Sequence, residues 1–97
     1  MYMTEQEVLA AIKEGFNAPE LLKDANPNLV RRFNGLCSSL QKFITDVRVH
    51  FPDAEYYSAS GTFCLLLGQS HTREGSPQQD LVALTGTGGL IIDGGDW

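Results

Sequence analysis

At 97 residues, with 42% hydrophobic and 20% charged side chains, the chain has the size and composition of one globular domain and lies far from the disordered range. Its net charge of −5 argues against a surface that grips nucleic acid as a whole, because displacing counterions from phosphates needs a positive field. The longest apolar runs, such as Phe63 to Leu67, fall far short of the ~20 residues that cross a bilayer, which excludes a spanning helix.

The opening Met1-Tyr2-Met3-Thr4-Glu5 has neither the basic nor the apolar segment of an export signal, so the expected compartment is the cytoplasm. Cys37 and Cys64 lie in apolar surroundings, and both are expected to be reduced thiols within the core. One domain spanning residues 1–97 is the expected organisation, with no internal repeat.

Thr4 followed by Glu7 is a capping box, in which each side chain satisfies the other residue's backbone N–H, so a first helix should start there. Val8, Ala11 and Ile12 form its apolar stripe, and Gly15 with Phe16 should end it near Glu14. Asn17, Pro19 and Glu20 repeat the start signal for a short second helix that turns Leu21 and Leu22 inward and closes at 24–26.

Asn26-Pro27 then opens a long helix over about residues 27–49. Leu29, Phe33, Leu36, Leu40, Phe43 and Val47 follow one another at spacings of 4, 3, 4, 3 and 4, and Val30, Cys37 and Ile44 widen that seam at intervals of seven. At 1.5 Å per residue the helix is ~34 Å long. Asn34-Gly35 is a turn dipeptide in its middle, but the apolar register passes through without a phase shift, so one continuous helix is expected. Phe33 and Leu40 are the core residues this register selects.

After Pro52 the period changes to that of strands, expected over 55–59, 62–67, 81–85 and 90–93, with turns at Ser60-Gly61 and at Gly86-Thr87-Gly88-Gly89. The fold class is therefore α+β: N-terminal helices packed on a C-terminal antiparallel sheet of three to four strands. Phe63 to Leu67, Leu81 to Leu84 and Leu90 to Ile92 are apolar on consecutive positions, so both sheet faces need cover. The long helix covers one; the first two helices or a second copy of the chain should cover the other. Leu65, in the central strand, joins the predicted core. Tyr56 and Tyr57 should face opposite sides of their strand.

The chemistry-bearing residues give no reaction. Gly86-Thr87-Gly88-Gly89 leads into a strand and not into the helix that a phosphate-binding loop requires. His50, His71, Cys37 and Cys64 show neither zinc spacing nor a thiol–imidazole arrangement, and Asp93 and Asp96 offer only two ligands to a hard cation. No cofactor or metal is called for. Gly68 to Asp80, a polar stretch of 13 residues, is long for a compact domain and is the first place to look for a site.

The reading that follows is a small non-catalytic interaction or regulatory protein, expected to form a homodimer, with a protein as its partner and no membrane association. Its candidate partner-binding residues are His71 and Arg73 in the 68–80 stretch and Asp93, Asp96 and Trp97 at the C-terminus, where Trp97 either anchors in a partner's pocket or folds back on the sheet edge. A DNA-binding regulator of winged-helix type, using Arg31, Arg32, Lys42 and Arg48 on the long helix, is the alternative. An enzyme with its site in the 68–80 stretch is the third.

Overall fold

A computed structural model describes residues 2–59 and 61–93. The fold is α+β. Three helices, α1 (Glu5–Lys13), α2 (Ala18–Ala25) and α3 (Asn28–His50), precede an antiparallel sheet of β1 (Glu55–Ala59), β2 (Thr62–Leu66) and β3 (Val82–Thr85), in that spatial order. The chain divides into two compact units, Met1–Leu40 and Gln41–Trp97, with α3 contributing residues to both.

The helix ends follow from the local sequence. At the start of α1 the Glu7 amide donates to Thr4 Oγ1 at 3.3 Å while the Thr4 amide donates to Glu7 Oε1 at 3.4 Å, the reciprocal pair the capping box requires. Gly15, at φ 107°, lets the chain reverse so that the Gly15 and Phe16 amides reach the carbonyls of Ile12 and Ala11. Asn17 Oδ1 caps α2 through the Glu20 amide at 2.9 Å, and Asn26 Oδ1 accepts from the Asn28 amide at 3.0 Å beside the start of α3. α3 runs unbroken through Asn34-Gly35, where Gly35 has nothing within 4 Å of the position its Cβ would take.

In the first unit, α1 and α2 contain no buried residue, and Leu9, Ile12, Leu22, Val30, Phe33, Leu36 and Leu40 are all exposed. The expectation that Phe33 and Leu40 are core residues therefore fails. Their helical register is as read, but the first unit's own helices leave them open to water: Phe33 keeps 65% of its surface and Leu40 41%. Cys37, expected in the core, is exposed for the same reason.

The second unit has a core. Ile44, Ala54 and Leu65 are 4%, 1% and 6% exposed, with Val47 and Tyr56 packed against them. Arg48 Nε donates to the Ala54 carbonyl at 2.8 Å and so holds the turn after α3 under its last residues. Alternation along the strands sends Leu65 and its partners Tyr56 and Leu84 to the helix side of the sheet, and Cys64 and Leu66 with Tyr57 and Val82 to the other.

Within the second unit that other face has a cover of its own. The 68–80 segment folds over it: Ser70, His71, Pro77, Gln78 and Gln79 stand with Tyr57, Cys64 and Leu66, and Cys64 and Leu66 are buried. The segment is itself organised as a narrow ribbon. Gln78 N–H donates to the Ser70 carbonyl at 2.8 Å, His71 bridges Pro77, and a tight turn joins Thr72 to Gly75.

The fourth strand does not form. Gly88 and Gly89 take φ of 69° and 79°, but the chain leaving them does not fold back along β3 as a hairpin. It returns to β2, on which Gly86 has already closed through its amide to the Phe63 carbonyl. Ile91 makes an isolated bridge to Thr62, and the Ile92 amide reaches the Gly61 carbonyl at 2.8 Å. The 86–89 glycines thus form an excursion within one sheet edge, and β2 gains the contacts that a hairpin would have given β3.

Candidate functional site

Two features in the described residues have the character of a binding site. The first is a pocket of about 260 Å³ under the 68–80 ribbon, lined by Tyr57, Ser58, Cys64, Leu66, His71 and Gln78 among others. Ser70 Oγ lies 2.9 Å from His71 Nδ1, and the Tyr57 ring meets the His71 ring edge-on at 6.1 Å. A serine beside an imidazole is the beginning of a nucleophile and base, but the constellation goes no further. The nearby carboxylate, Glu55, accepts from the Ser70 backbone amide at 3.3 Å and Ser58 Oγ donates to the Ile92 carbonyl. Gln78 Nε2 is taken by the Gln69 carbonyl at 2.9 Å. The Glu55 bond ties the ribbon to the sheet, the Gln78 bond closes the ribbon on itself, and the Ser58 bond ties β1 to the chain after β3. Cys64 is buried with its thiol toward the Thr62 carbonyl at 3.7 Å, a packing position.

The second feature is the apolar face of α3. Its N-terminal half presents Val30, Phe33 and Leu36, the last two each 65% exposed. In the second unit, Phe43, Val47, His50 and Phe51 border an open groove of about 410 Å³ whose far wall is Leu65, Leu67, Ala83 and Leu84. Asp46 lines the same groove, its acidic side chain and His50 being the polar members of a lining that is otherwise apolar. Apolar area of this kind loses free energy to water at roughly 25 cal/mol per Å², so the groove, with Phe43, Phe51 and three leucines in its lining, favours being covered.

Among the described residues no group of three or more His, Cys, Asp and Glu is gathered as a metal site, and no helix is long and apolar enough to cross a membrane. The sequence-derived candidates are dispersed. His71 is exposed in the ribbon against Ser70 and Tyr57, Arg73 is exposed in its turn, and Asp93 is exposed at the end of the described chain. Asp96 and Trp97 lie outside the described residues, and with them the reading of the C-terminal tip. The spacing of the α3 seam predicts an interior face along its whole length, whereas Val30, Phe33, Leu36 and Leu40 are exposed, which is what sequence reasoning missed. The signal available was its length, since the second unit's core takes only Ile44 and Val47 from it.

No family model, curated protein or solved structure matches this chain.

Proposed function

We propose that the protein is a non-catalytic interaction module whose contact surface is the exposed apolar face of α3. The observation that carries this reading is the pair Phe33 and Leu36, adjacent on one helical face and each 65% exposed. Scattered single apolar side chains on a surface are ordinary, but a contiguous series at helical spacing is the form taken by helix-in-groove and helix-pairing contacts. The pocket under the 68–80 ribbon supports catalysis less well, because its polar groups are spent on the ribbon's own hydrogen bonds. Arg48, one of the four basic residues behind the DNA-binding alternative, is bonded to the Ala54 carbonyl, which weakens that alternative too.

A photo-crosslinking amino acid at Leu36, compared in living cells with the same group at Ser38 on the opposite side of the helix, tests the reading. Protein adducts from position 36 and none from position 38 are expected. Equal labelling from both positions, or no protein adduct from position 36, overturns it.

A further inference from the structure

Resting on that reading, we propose that the occupant of the α3 face is a second copy of this chain, with the two α3 helices antiparallel about a two-fold axis near residue 38. In the heptad notation for paired helices, the spacings of the seam place Leu29, Leu36 and Phe43 at d and Phe33, Leu40 and Val47 at a. Antiparallel packing sets a against d of the partner. The register that uses every layer pairs Leu36 with Leu40 of the partner subunit, Phe33 with Phe43 of the partner subunit, and Leu29 with Val47 of the partner subunit. The two-fold axis repeats each pairing.

Charge selects this orientation. Arg32 and Asp46 both fall at g, both are exposed, and Ser39 is the g residue midway between them. In the antiparallel register g faces g, so Arg32 meets Asp46 of the partner subunit, and symmetry supplies the pair twice. Parallel packing sets g against e of the partner; Arg32 would then face Cys37 of the partner subunit and Asp46 would face Phe51 of the partner subunit, leaving both charges against uncharged groups. The antiparallel arrangement also opposes the helix dipoles.

Burial agrees with the same register. The e residue Ile44 is covered by the sheet of its own chain, whereas the e residues Val30 and Cys37 are exposed. Val30 of one copy would therefore meet Leu84 and Ala83 on the far wall of the other copy's groove, with the incoming Arg32 beside the Asp46 that lines it. The first unit's apolar helix and the second unit's apolar groove thus become each other's cover between copies, a self-complementary, closed interface.

Cys37 provides the test, because e faces e in this register and Cys37 lies opposite Cys37 of the partner subunit. Cys64 is buried, so Cys37 is the thiol open to reagents. A bismaleimide shorter than two helical turns, about 11 Å, should join two copies of the native protein and fail with Cys37→Ser. Leu29→Cys in the Cys37→Ser background should fail as well, since its own counterpart would be ~27 Å away along the axis; a parallel pair would put those thiols side by side. Sedimentation equilibrium should show Asp46→Arg weakening the dimer about tenfold and Arg32→Asp with Asp46→Arg restoring it. Cross-linking through Leu29→Cys, or a charge exchange that does not restore association, overturns the antiparallel register. A monomer at all concentrations that still gives adducts of another protein at Leu36 overturns the second copy as occupant and leaves the interaction reading standing.

Discussion

The first unit of this chain is the more apolar of the two in sequence, yet the second is the one that builds a core. Residues 41–93 place one long-helix face, a turn and a sheet together, so that Ile44, Ala54 and Leu65 lose nearly all contact with water. Residues 2–40 form well-capped helices, yet Phe33, Leu36, Leu9 and Ile12 remain exposed, and α1 and α2 contain no buried residue. Capping and periodicity determine that a helix forms and which face is apolar. They do not determine what meets that face. Helical stability in proteins comes mostly from packing, so a unit with caps and no buried residue in α1 or α2 is one that, on the proposed reading, a partner surface would complete.

The contrast breaks most visibly if core and seam respond alike to truncation. Leu65→Ala is expected to cost ~2–5 kcal/mol in urea denaturation, by lost transfer energy and the cavity left behind. Phe33→Ala, in dilute protein, should cost less than ~1 kcal/mol because little packing is lost. Equal costs at the two positions would mean that the first unit has a core after all.

A second effect sharpens the comparison. If the seam is covered by mass action, the thermal midpoint rises with protein concentration, and Leu36→Asp should abolish that rise while leaving the midpoint of dilute protein nearly unchanged. Calorimetry over a hundredfold concentration range measures it. A concentration-independent midpoint in the native protein contradicts the expectation.

Smaller again is the cap. Thr4→Ala removes the acceptor of the Glu7 amide and should cost α1 ~1 kcal/mol, seen as faster amide exchange in residues 5–13 and no change in the urea midpoint of the sheet. A shift of that midpoint would show that the second unit depends on α1.

The smallest effect concerns Tyr56 on the helix side of the sheet. Burial pushes its phenol above the ordinary 10.0, and the positive charge of Arg48 opposes part of the rise. With the folded value above the unfolded one, the neutral phenol's contribution is complete below about pH 10 and is lost as pH rises through the folded value. Tyr56→Phe should therefore flatten the fall in stability above pH 10, measured as the slope of urea midpoint against pH. An unchanged slope would remove Tyr56 from the residues packed against the core.

Local features were the legible part of the sequence. Thr4-Glu7, Gly15 and Asn17 each act through neighbours within five residues, and the structure has each where the pattern puts it. The α+β class was legible because the apolar period changes after Pro52. What escaped was set by distant partners. The 68–80 segment reads as a polar loop, and that it lies over Cys64 and Leu66 depends on the Ser70–Gln78 and Glu55–Ser70 bonds, which no local pattern encodes. The Leu90 to Ile92 run reads as a strand, but its hydrogen bonds go to Gly61 and β2 and not along β3. The Phe33 to Leu40 seam has the spacing of a buried face, and that spacing is the same whether the cover comes from the same chain or another. Of the candidate site residues, His71 and Arg73 could be placed on the loop from sequence, but the packing of the Tyr57 ring from β1 against His71 could not.

Amide hydrogen exchange followed by region and by protein concentration tests the central claim most directly, namely that α3's first half is completed by a partner surface. The account predicts that amides in 62–66 exchange slowly at every concentration, whereas those in 29–40 exchange quickly in dilute protein and slow severalfold as dimer accumulates. Slow exchange in 29–40 that does not depend on concentration, or fast exchange there at concentrations where the protein sediments as a dimer, would contradict it.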